Sequence, residues 1–555
     1  MSWRELTLPV LAVAFTAYVI YGMLERLPLS AELTDEALTA ALPYRFILGD
    51  RPFIDEINSA QTATFILIPF VWLYLKVVHS TTGIILFMRM LFLVGKLALS
   101  AAVFATVKRH IAWPLALVAS LVCVVFVPYS IASPSYNVLG SGFLTACCFI
   151  AARRYLPGGT AGDMWWAGIC GGLAALAYPP LGLPVVILGF VVLGLRGDTR
   201  SRLRDFGSYV AGGLLVAVVV APVFVRGGRA NLEVMIEYGA LLAPKAPSKL
   251  FDTILALWTH APISFWVVPT LVMVRAGLTA HPRWSIWVLP LLVASLSLGV
   301  PSALGSQLPI VIYAALLAPA FLVFLWDDPF CRALFGLVWV PSFVAGLVTS
   351  YTSSNGELNA AIGFFPAAAL FVVYEAIAVV RLSRDPGDSR DSADSTSASP
   401  LMLLGPAVIT LSMLARYSHT VYRDGPIQDL EVRVESGPFR GLFTTKERAL
   451  LLVELEQIFR RHEDPRGRVL VYWESPAGYL FSRMQPAPNT VWPIPGADQN
   501  ALMTHYRQRI TGHGFSIKVK GSSRVPVTPL DEYLQETGRP LENTDHFVVL
   551  GEPAP

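Results

Sequence analysis

The stretch IILFMRMLFLVGKLALSAAVFATV, residues 84–107, carries only two charged side chains, Arg89 and Lys96. A helix needs about 20 mostly apolar residues to cross a bilayer. This stretch therefore predicts a transmembrane helix. Apolar runs of similar length recur from residue 6 to about residue 417. The sequence thus indicates a mainly α polytopic membrane protein.

The composition supports the same class. Of the 555 residues, 54% are hydrophobic and 15% are charged, and the mean hydropathy is +0.55. An ordinary soluble domain has about 25% charged residues. This deficit excludes a disordered chain, a coiled coil and a nucleic-acid-binding tail protein. The five cysteines form no CxxC pair, so we expect them to be small apolar packing residues.

Thirteen membrane spans are predicted, and the first of them is read as a retained signal anchor. With the N-terminus in the cytoplasm, 15 basic residues fall on the cytoplasmic side and 8 on the outer side, as the positive-inside rule requires. The protein is therefore expected in the plasma (inner) membrane with its C-terminal domain outside. The predicted spans are 6–24, 84–107, 112–130, 137–152, 164–178, 181–196, 206–225, 262–276, 285–300, 308–326, 332–350, 360–381 and 401–417.

The segment 62–78 is the main alternative to this topology, because it is apolar enough to span. As a span it would reverse every later segment and place the basic clusters 108–110 and 153–154 outside. We predict instead a helix at the outer interface, broken at Pro69 and anchored by Trp72 and Lys76.

Two domains are predicted. Residues 1–417 form a transmembrane catalytic module, and residues 418–555 form an extracytoplasmic α/β accessory domain with strands near 430–434, 468–473, 516–520 and 546–550 and helices near 446–461 and 500–510. The module has a first outer loop at 25–83, a second at 226–261 with an amphipathic helix at 231–241, and a disordered cytoplasmic linker at 382–399.

The first outer loop holds the strongest candidate site residues. It contains Asp35 and Glu36, then a turn at Gly49 and Pro52, then Asp55. We expect a short helix over 36–47, capped by Thr34 or Asp35, which folds the acids back toward each other. Carboxylates at a water–membrane boundary suit general-base chemistry. Solvated loop acids with a capping role are the alternative interpretation.

Other polar groups are candidates for binding. Arg89 and Lys96 lie in the outer half of the second span, where an arginine fork suits a lipid-linked phosphate, although snorkelling to ordinary headgroups remains an alternative. Five polar residues in the outer loops are candidates to bind the hydroxyls of the sugar or the acceptor: Tyr136, Asn137, Asn355, Glu357 and Asn359. The alternative is that they form turns and cap helices.

The pattern DE-x(12)-G-x-x-P-x-x-D, from Asp35 to Asp55, followed by an apolar surface helix and Arg89, resembles the GT-C superfamily of integral membrane glycosyltransferases. That superfamily includes protein O-mannosyltransferases and lipid A aminoarabinose transferases. The resemblance implies a polyprenyl-phosphate-linked sugar donor and a catalytic acid at Asp35, with Asp55 as the second acid. The Lys-Pro-Pro stretch of the aminoarabinose type and the WWDxG signature of oligosaccharyltransferases are both missing from the sequence.

The predicted function is an inverting hexosyl- or pentosyltransferase that moves a sugar to a hydroxyl acceptor on a glycan, lipid or protein outside the cytoplasm. Asp35 would act as the base, with Glu36 and Asp55 beside it, and Arg89 with Lys96 would hold the donor phosphate. No cofactor is required, and a divalent ion near Asp35 and Asp55 stays open as an alternative. A polytopic transporter or a flippase for lipid-linked sugars is the rival function. It would show inverted repeats and charges at the bilayer midplane.

Overall fold

The computed structural model describes residues 3–195, 198–242, 249, 251–255, 306–353, 355–382, 400–472, 475–492, 504, 506–508, 514–520 and 529–551, and for 3–5 and 226–242 only the backbone. Long helices dominate this part of the chain. The helices are α1 (Trp3–Arg26), α2 (Asp35–Ile47), α3 (Gln61–Val78), α4 (Ile84–Val107), α5 (Trp113–Ser120), α6 (Val122–Val125), α7 (Tyr136–Arg153), α8 (Ala161–Ala177), α9 (Gly182–Gly194), α10 (Thr199–Leu242), α11 (Leu308–Leu317), α12 (Leu322–Leu325), α13 (Pro329–Leu334), α14 (Val340–Tyr351), α15 (Ala360–Leu382), α16 (Leu404–His419), α17 (Lys446–His462) and α18 (Pro529–Thr537).

The helical module confirms a polytopic membrane protein. In the described residues, eight helices or continuous helical segments are long and apolar enough to cross a bilayer, and Trp113–Val125 and Pro179–Gly194 are shorter apolar segments. The predicted spans 262–276 and 285–300 lie outside the described residues. The number thirteen therefore stays a prediction.

Helix α15 forms the centre of the module. The most hydrophobic 18 consecutive residues of the segment Gly356–Arg381, which contains most of α15, are all buried inside the protein. Phe365 of α15 stacks on Phe126 at a ring-centroid distance of 4.3 Å. Gly346 of α14 lies against the ring of Phe364, where a Cβ would clash, so glycine allows the close approach of α14 and α15.

Helix α10 corrects one predicted boundary. The sequence predicted a span over 206–225, then an outer loop containing a separate helix at 231–241. The backbone instead continues as one helix from Thr199 to Leu242 and passes through Pro222. The rest of the second outer loop, beyond residue 242, is described only at 249 and 251–255, and the linker 383–399 lies outside the described residues.

The C-terminal region contains the predicted α/β structure. Its five-stranded sheet has the order β4-β3-β5-β7-β6, in which β3 is parallel to β4 and β5 while β7 is antiparallel to β5 and β6. A two-stranded antiparallel ladder joins β1 to β2. The strands are β1 (Val432–Arg433), β2 (Phe443–Thr444), β3 (Arg468–Tyr472), β4 (Gln485–Pro486), β5 (Phe515–Val519), β6 (Arg539–Asn543) and β7 (Phe547–Gly551). The predicted helix at 500–510 lies mostly outside the described residues, and the domain boundary at 417/418 stays a prediction.

The segments at both ends of helix α3 contact the C-terminal region. Just before it, the Ile57 backbone N–H donates to the Asn489 carbonyl at 2.9 Å. Just after it, the Arg483 guanidinium donates to the His79 carbonyl at 3.0 Å. Both contacts are with the short segment 483–489, so they favour a helix that lies along the membrane surface, although α3 is also one of the eight described helices long and apolar enough to cross a bilayer. The prediction that Pro69 breaks the helix is wrong, because α3 continues through it.

Candidate active site

A cavity of about 80 Å³ lies where α2 and α3 meet the loops of the membrane module. It brings together side chains that are hundreds of residues apart in sequence. Four predicted site residues line it, along with two tyrosines that the sequence analysis did not single out. These six residues are Asp35, Tyr129, Tyr136, Asn137, Asn355 and Tyr422.

Asp35 is the acid in this cavity, and its two carboxylate oxygens differ. Oδ2 accepts a hydrogen bond from the Tyr422 hydroxyl at 2.6 Å and lies 3.4 Å from Nη1 of Arg423. Thr34 also approaches Oδ2, at 3.4 Å. Among the described residues, Oδ1 has no hydrogen-bond partner. The side chain is 32% exposed, so this second oxygen can accept a proton from a bound molecule.

Tyr422 is held as a hydrogen-bond donor to Asp35. Burial raises the pKa of the Tyr422 phenol, and the neighbouring Asp35 charge raises it further. The phenol therefore stays protonated at neutral pH and fixes the orientation of the carboxylate. Tyr422 lies just after α16, 387 residues from Asp35 in the sequence, so the sequence around residue 422 could not predict this contact.

Glu32 caps helix α2, a role that the sequence analysis assigned to Thr34 or Asp35. Thr34 occupies the N-cap position without a side-chain cap bond. Glu32 instead accepts from the backbone N–H of Thr34 at 2.8 Å and of Glu36 at 2.6 Å. Burial, and then the negative charge of Asp35, raise the pKa of Glu32 to about 7. A second, titratable acid therefore lies next to Asp35.

Arg89 and Glu36 form a buried pair, which corrects both of their predicted roles. The guanidinium donates to both Glu36 oxygens at 2.6 Å and to the carbonyls of Leu27, Leu29 and Ser30. These bonds use all five N–H donors of the arginine. Arg89 therefore has no donor left for a phosphate in this structure. Glu36 is 2% exposed and lies inside this pair, so it holds the first outer loop in place.

Lys96 lies in an aromatic environment and does not line the cavity. Its ammonium lies 5.2–5.5 Å from the ring centroids of Phe92, Phe126 and Phe365. Within the described part of the chain, Nζ has no hydrogen-bond partner. Cation–π contacts are its visible stabilisation. The predicted role of Lys96 in holding a surface phosphate finds no support in this position.

Asp55 does not lie beside Asp35. It accepts from the backbone N–H of Arg51 at 2.8 Å, after the C-terminal end of α2. Asp35 is the first residue of α2, a 13-residue helix, so about 18 Å of helix separates the two regions. The expectation that the turn folds the two acids together is wrong.

A buried charge cluster near Asp55 joins the first loop to the C-terminal domain. Arg45 is fully buried and pairs with Asp50 at 2.7 Å and with Glu56 at 2.9 Å. It also donates to the Pro488 carbonyl at 2.7 Å, and Glu56 accepts from the Val491 backbone N–H at 3.0 Å. Fixed contacts of this kind hold the C-terminal domain over the end of α2.

The remaining predicted residues separate into two groups. Asn355 donates to the Tyr129 hydroxyl at 3.2 Å, and Tyr129 donates to Asn359 at 2.9 Å, so these three form one network beside the cavity. The amide oxygen of Asn137 is buried and has no hydrogen-bond partner among the described residues. This oxygen of Asn137 can accept a hydrogen bond from a hydroxyl of a bound molecule. Glu357, by contrast, does not line the cavity.

Neither Asp35 nor Asp55 belongs to a group with the spacing of metal ligands in the described ranges. The group that has such spacing is His110, Asp328 and Cys331.

Comparison with known proteins gives general structural similarities. No family model and no curated protein sequence matches the chain. ArnT from Cupriavidus metallidurans is similar over 97% of both chains, with 15% identity and a TM-score of 0.42 in the structure bound to undecaprenyl phosphate, and with 13% identity and 0.45 in the apo state. The Archaeoglobus fulgidus oligosaccharyltransferase, in a complex with Zn and sulfate, matches 90% of this chain and 67% of its own, with 11% identity and a TM-score of 0.37. All three TM-scores lie below 0.5, so the functional proposal depends on the residues of this chain.

Proposed function

We propose that this chain is a GT-C membrane glycosyltransferase. It moves a sugar from a polyprenyl-phosphate donor to a hydroxyl acceptor on the extracytoplasmic face of the membrane, and the configuration of the anomeric carbon is inverted. The observation that carries the proposal is the carboxylate of Asp35. One oxygen is fixed by Tyr422, and the other, unpartnered in the described residues, lies in a cavity lined by polar side chains. This is the geometry of a positioned general base.

The proposed reaction is a single displacement. The acceptor hydroxyl gives its proton to Oδ1 of Asp35, and the acceptor oxygen forms a bond to the anomeric carbon. The bond from that carbon to the phosphate oxygen breaks, and polyprenyl phosphate leaves as the anion. One displacement without a covalent intermediate inverts the anomeric configuration, as in inverting enzymes that use a carboxylate base.

Polar groups around Asp35 are suited to bind a sugar. Asn137 offers an amide oxygen that has no hydrogen-bond partner in the described ranges, and Tyr136 and Asn355 line the same cavity. Tyr136 also makes an edge contact with Tyr178 at a ring-centroid distance of 5.3 Å. Amide groups and aromatic rings together match the hydroxyls and the apolar face of a sugar.

Arg423 replaces Arg89 as the proposed partner of the leaving phosphate. It lies 3.4 Å from Asp35, and its side chain is 44% exposed. Its guanidinium, beside Asp35, can meet the phosphate of a donor bound there.

The polyprenyl-phosphate donor comes from the family resemblance of the first outer loop, which identifies neither the sugar nor the acceptor. The acceptor is a glycan, a lipid or a protein, and the transferred group is a hexose or pentose. We place the reaction on the outer face of the plasma (inner) membrane, with the N-terminus in the cytoplasm. The proposed mechanism gives Asp55 no part in catalysis, because it lies at the other end of α2.

Release of polyprenyl phosphate tests the proposal. The purified protein in detergent or vesicles is incubated with a polyprenyl-phosphate sugar labelled in the sugar and with membrane glycolipid acceptors. Transfer of the label together with free polyprenyl phosphate is the expected result. Movement of the intact donor across vesicles without release would instead support a flippase. The buried Lys96, whose Nζ has no hydrogen-bond partner among the described residues, also fits that function.

A further inference from the structure

A cluster of metal-ligating side chains lies on the face opposite Asp35. His110 follows the C-terminal end of α4, whose other end meets the C-terminal region through the bond from Ile85 to the Pro438 carbonyl. A 24-residue helix is about 36 Å long, so His110 lies on the far side of the membrane module. Asp328 and Cys331 reach the same place from a turn 218 residues later in the chain.

The three donor atoms are close enough to share one ion. One ligand atom each from His110, Asp328 and Cys331 lies within 4.8 Å of the others, and Nε2 of His110 is 2.9 Å from Oδ2 of Asp328. Ligands of a tetrahedral zinc ion at 2.0–2.3 Å are about 3.3–3.8 Å from one another. Small side-chain adjustments therefore bring the cluster to zinc geometry.

The local structure fixes two of the ligands in advance. Oδ1 of Asp328 caps α13 by accepting from the backbone N–H of Phe330 at 2.9 Å, which leaves Oδ2 facing His110. The Phe330 ring lies 4.7 Å from the His110 ring. The Tyr374 hydroxyl donates to the Cys331 carbonyl at 2.6 Å and holds the backbone of that residue. Preorganised donors reduce the entropy cost of binding an ion.

The mixture of donors indicates the type of ion. A thiolate and an imidazole favour zinc over magnesium or calcium, which prefer oxygen ligands. Three protein ligands leave the fourth tetrahedral position to water. The partly exposed imidazole and carboxylate, with side chains 24% and 16% exposed, give the ion a route from solvent.

We propose that His110, Asp328 and Cys331 bind one Zn²⁺ ion that ties the loop after α4 to the turn before α13. When the ion binds, the thiol proton of Cys331 passes to solvent, and the imidazole of His110 carries its proton on Nδ1, which leaves Nε2 to bind the ion. The ion then bonds to thiolate sulfur, neutral imidazole nitrogen, carboxylate oxygen and water. This site is independent of the proposed transferase reaction.

Metal stoichiometry tests the proposal directly. The purified full-length protein is loaded with ZnCl₂, passed through a desalting column and analysed for zinc. About one zinc per chain is expected for the wild type, and less than about 0.2 for His110→Ala and Asp328→Asn. The amide oxygen of Asn can cap α13 in place of the carboxylate oxygen, so a folded Asp328→Asn variant isolates the loss of the charged ligand. Cys170→Ser, which changes a cysteine outside the cluster, should keep the wild-type value.

Binding of Co²⁺ gives a second measurement, which would not change if the three side chains only stabilised the fold. Co²⁺ bound to Cys331 should produce a thiolate charge-transfer band in the near ultraviolet, and Cys331→Ser should lose it while Cys170→Ser retains it. Zinc should also raise the melting temperature of the wild type but not of His110→Ala. Equal zinc content in the wild type and the three cluster variants, or no zinc in any of them, would overturn the proposal.

Discussion

The guanidinium of Arg89 forms a two-point ion pair with the carboxylate of Glu36, with both N···O distances at 2.6 Å. The pair connects α4 to the first turn of α2, whose first residue is Asp35. The position of the proposed base therefore depends on a charge pair inside the protein. Arg89, which the sequence pattern assigned to a ligand, has all of its hydrogen-bond donors paired with protein oxygen atoms.

Breaking this pair should destabilise the protein. We expect Glu36→Gln and Arg89→Ala each to lower the free energy of unfolding by about 3–5 kcal/mol, because each leaves a buried charge or its carbonyl partners uncompensated. Arg51→Ala is the matched control, since the Arg51 side chain is 68% exposed and its pair with Asp55 should contribute less than about 1 kcal/mol. Thermal unfolding in detergent measures the difference. A stable Arg89→Ala protein with a raised KM for the donor would restore the phosphate-binding role.

Removal of the proposed base should abolish transfer without unfolding the protein. Asp35→Asn is expected to lower kcat about 100- to 10,000-fold, since general-base catalysis contributes that much. Tyr422→Phe should cause a smaller loss, because it frees the carboxylate but keeps its charge. Asp327→Asn, which changes an acid that is 77% exposed, controls for expression and folding. Wild-type turnover by Asp35→Asn would exclude Asp35 as the base.

Glu32 should make stability depend on pH. Its pKa is about 7 in the folded protein against 4.5 as the reference value, so folding favours the protonated form. The stability from this group is fully present below about pH 4.5 and is lost as the pH rises through 7, by up to about 3 kcal/mol. The melting temperature should fall from pH 5 to pH 8, and Glu32→Gln should reduce that fall.

The control for this experiment is Glu447→Gln, which changes an exposed acid in the first turn of α17. Its melting temperature should follow the wild-type pH dependence. An identical pH dependence in Glu32→Gln and the wild type would show that Glu32 titrates normally.

Both ends of α3 should be accessible from the same side of the membrane. Single cysteines at Ser59 and Ser80, which flank the helix, should react with an impermeant thiol reagent added from the outside of intact cells. A cysteine at Arg109 should react only after the membrane is made permeable. Labelling of Ser59 and Ser80 from opposite sides would make α3 a true span and reverse the topology after it.

The sequence alone determined that the protein is a mainly helical membrane protein. Apolar runs of bilayer length predict helices because lipid offers no hydrogen bonds to the backbone, and this constraint is local. The helix over 36–47 was predicted closely. The four strands predicted in the C-terminal region overlap β1, β3, β5 and β7, but the sequence predicted neither β4 nor β6 of the five-stranded sheet. Asp35, Tyr136, Asn137 and Asn355 were chosen from sequence, and all four line one cavity.

Only the tertiary structure decided which charged groups are available for chemistry. Glu36 and Arg89 are 53 residues apart, and Asp35 and Tyr422 are 387 apart, so no local spacing predicts either pairing. The rigid length of α2 separates Asp35 from Asp55, although the turn residues after the helix suggested the opposite. A side chain's role depends on whether the fold uses its hydrogen-bond donors, acceptors and charge, and this depends on contacts between distant parts of the chain.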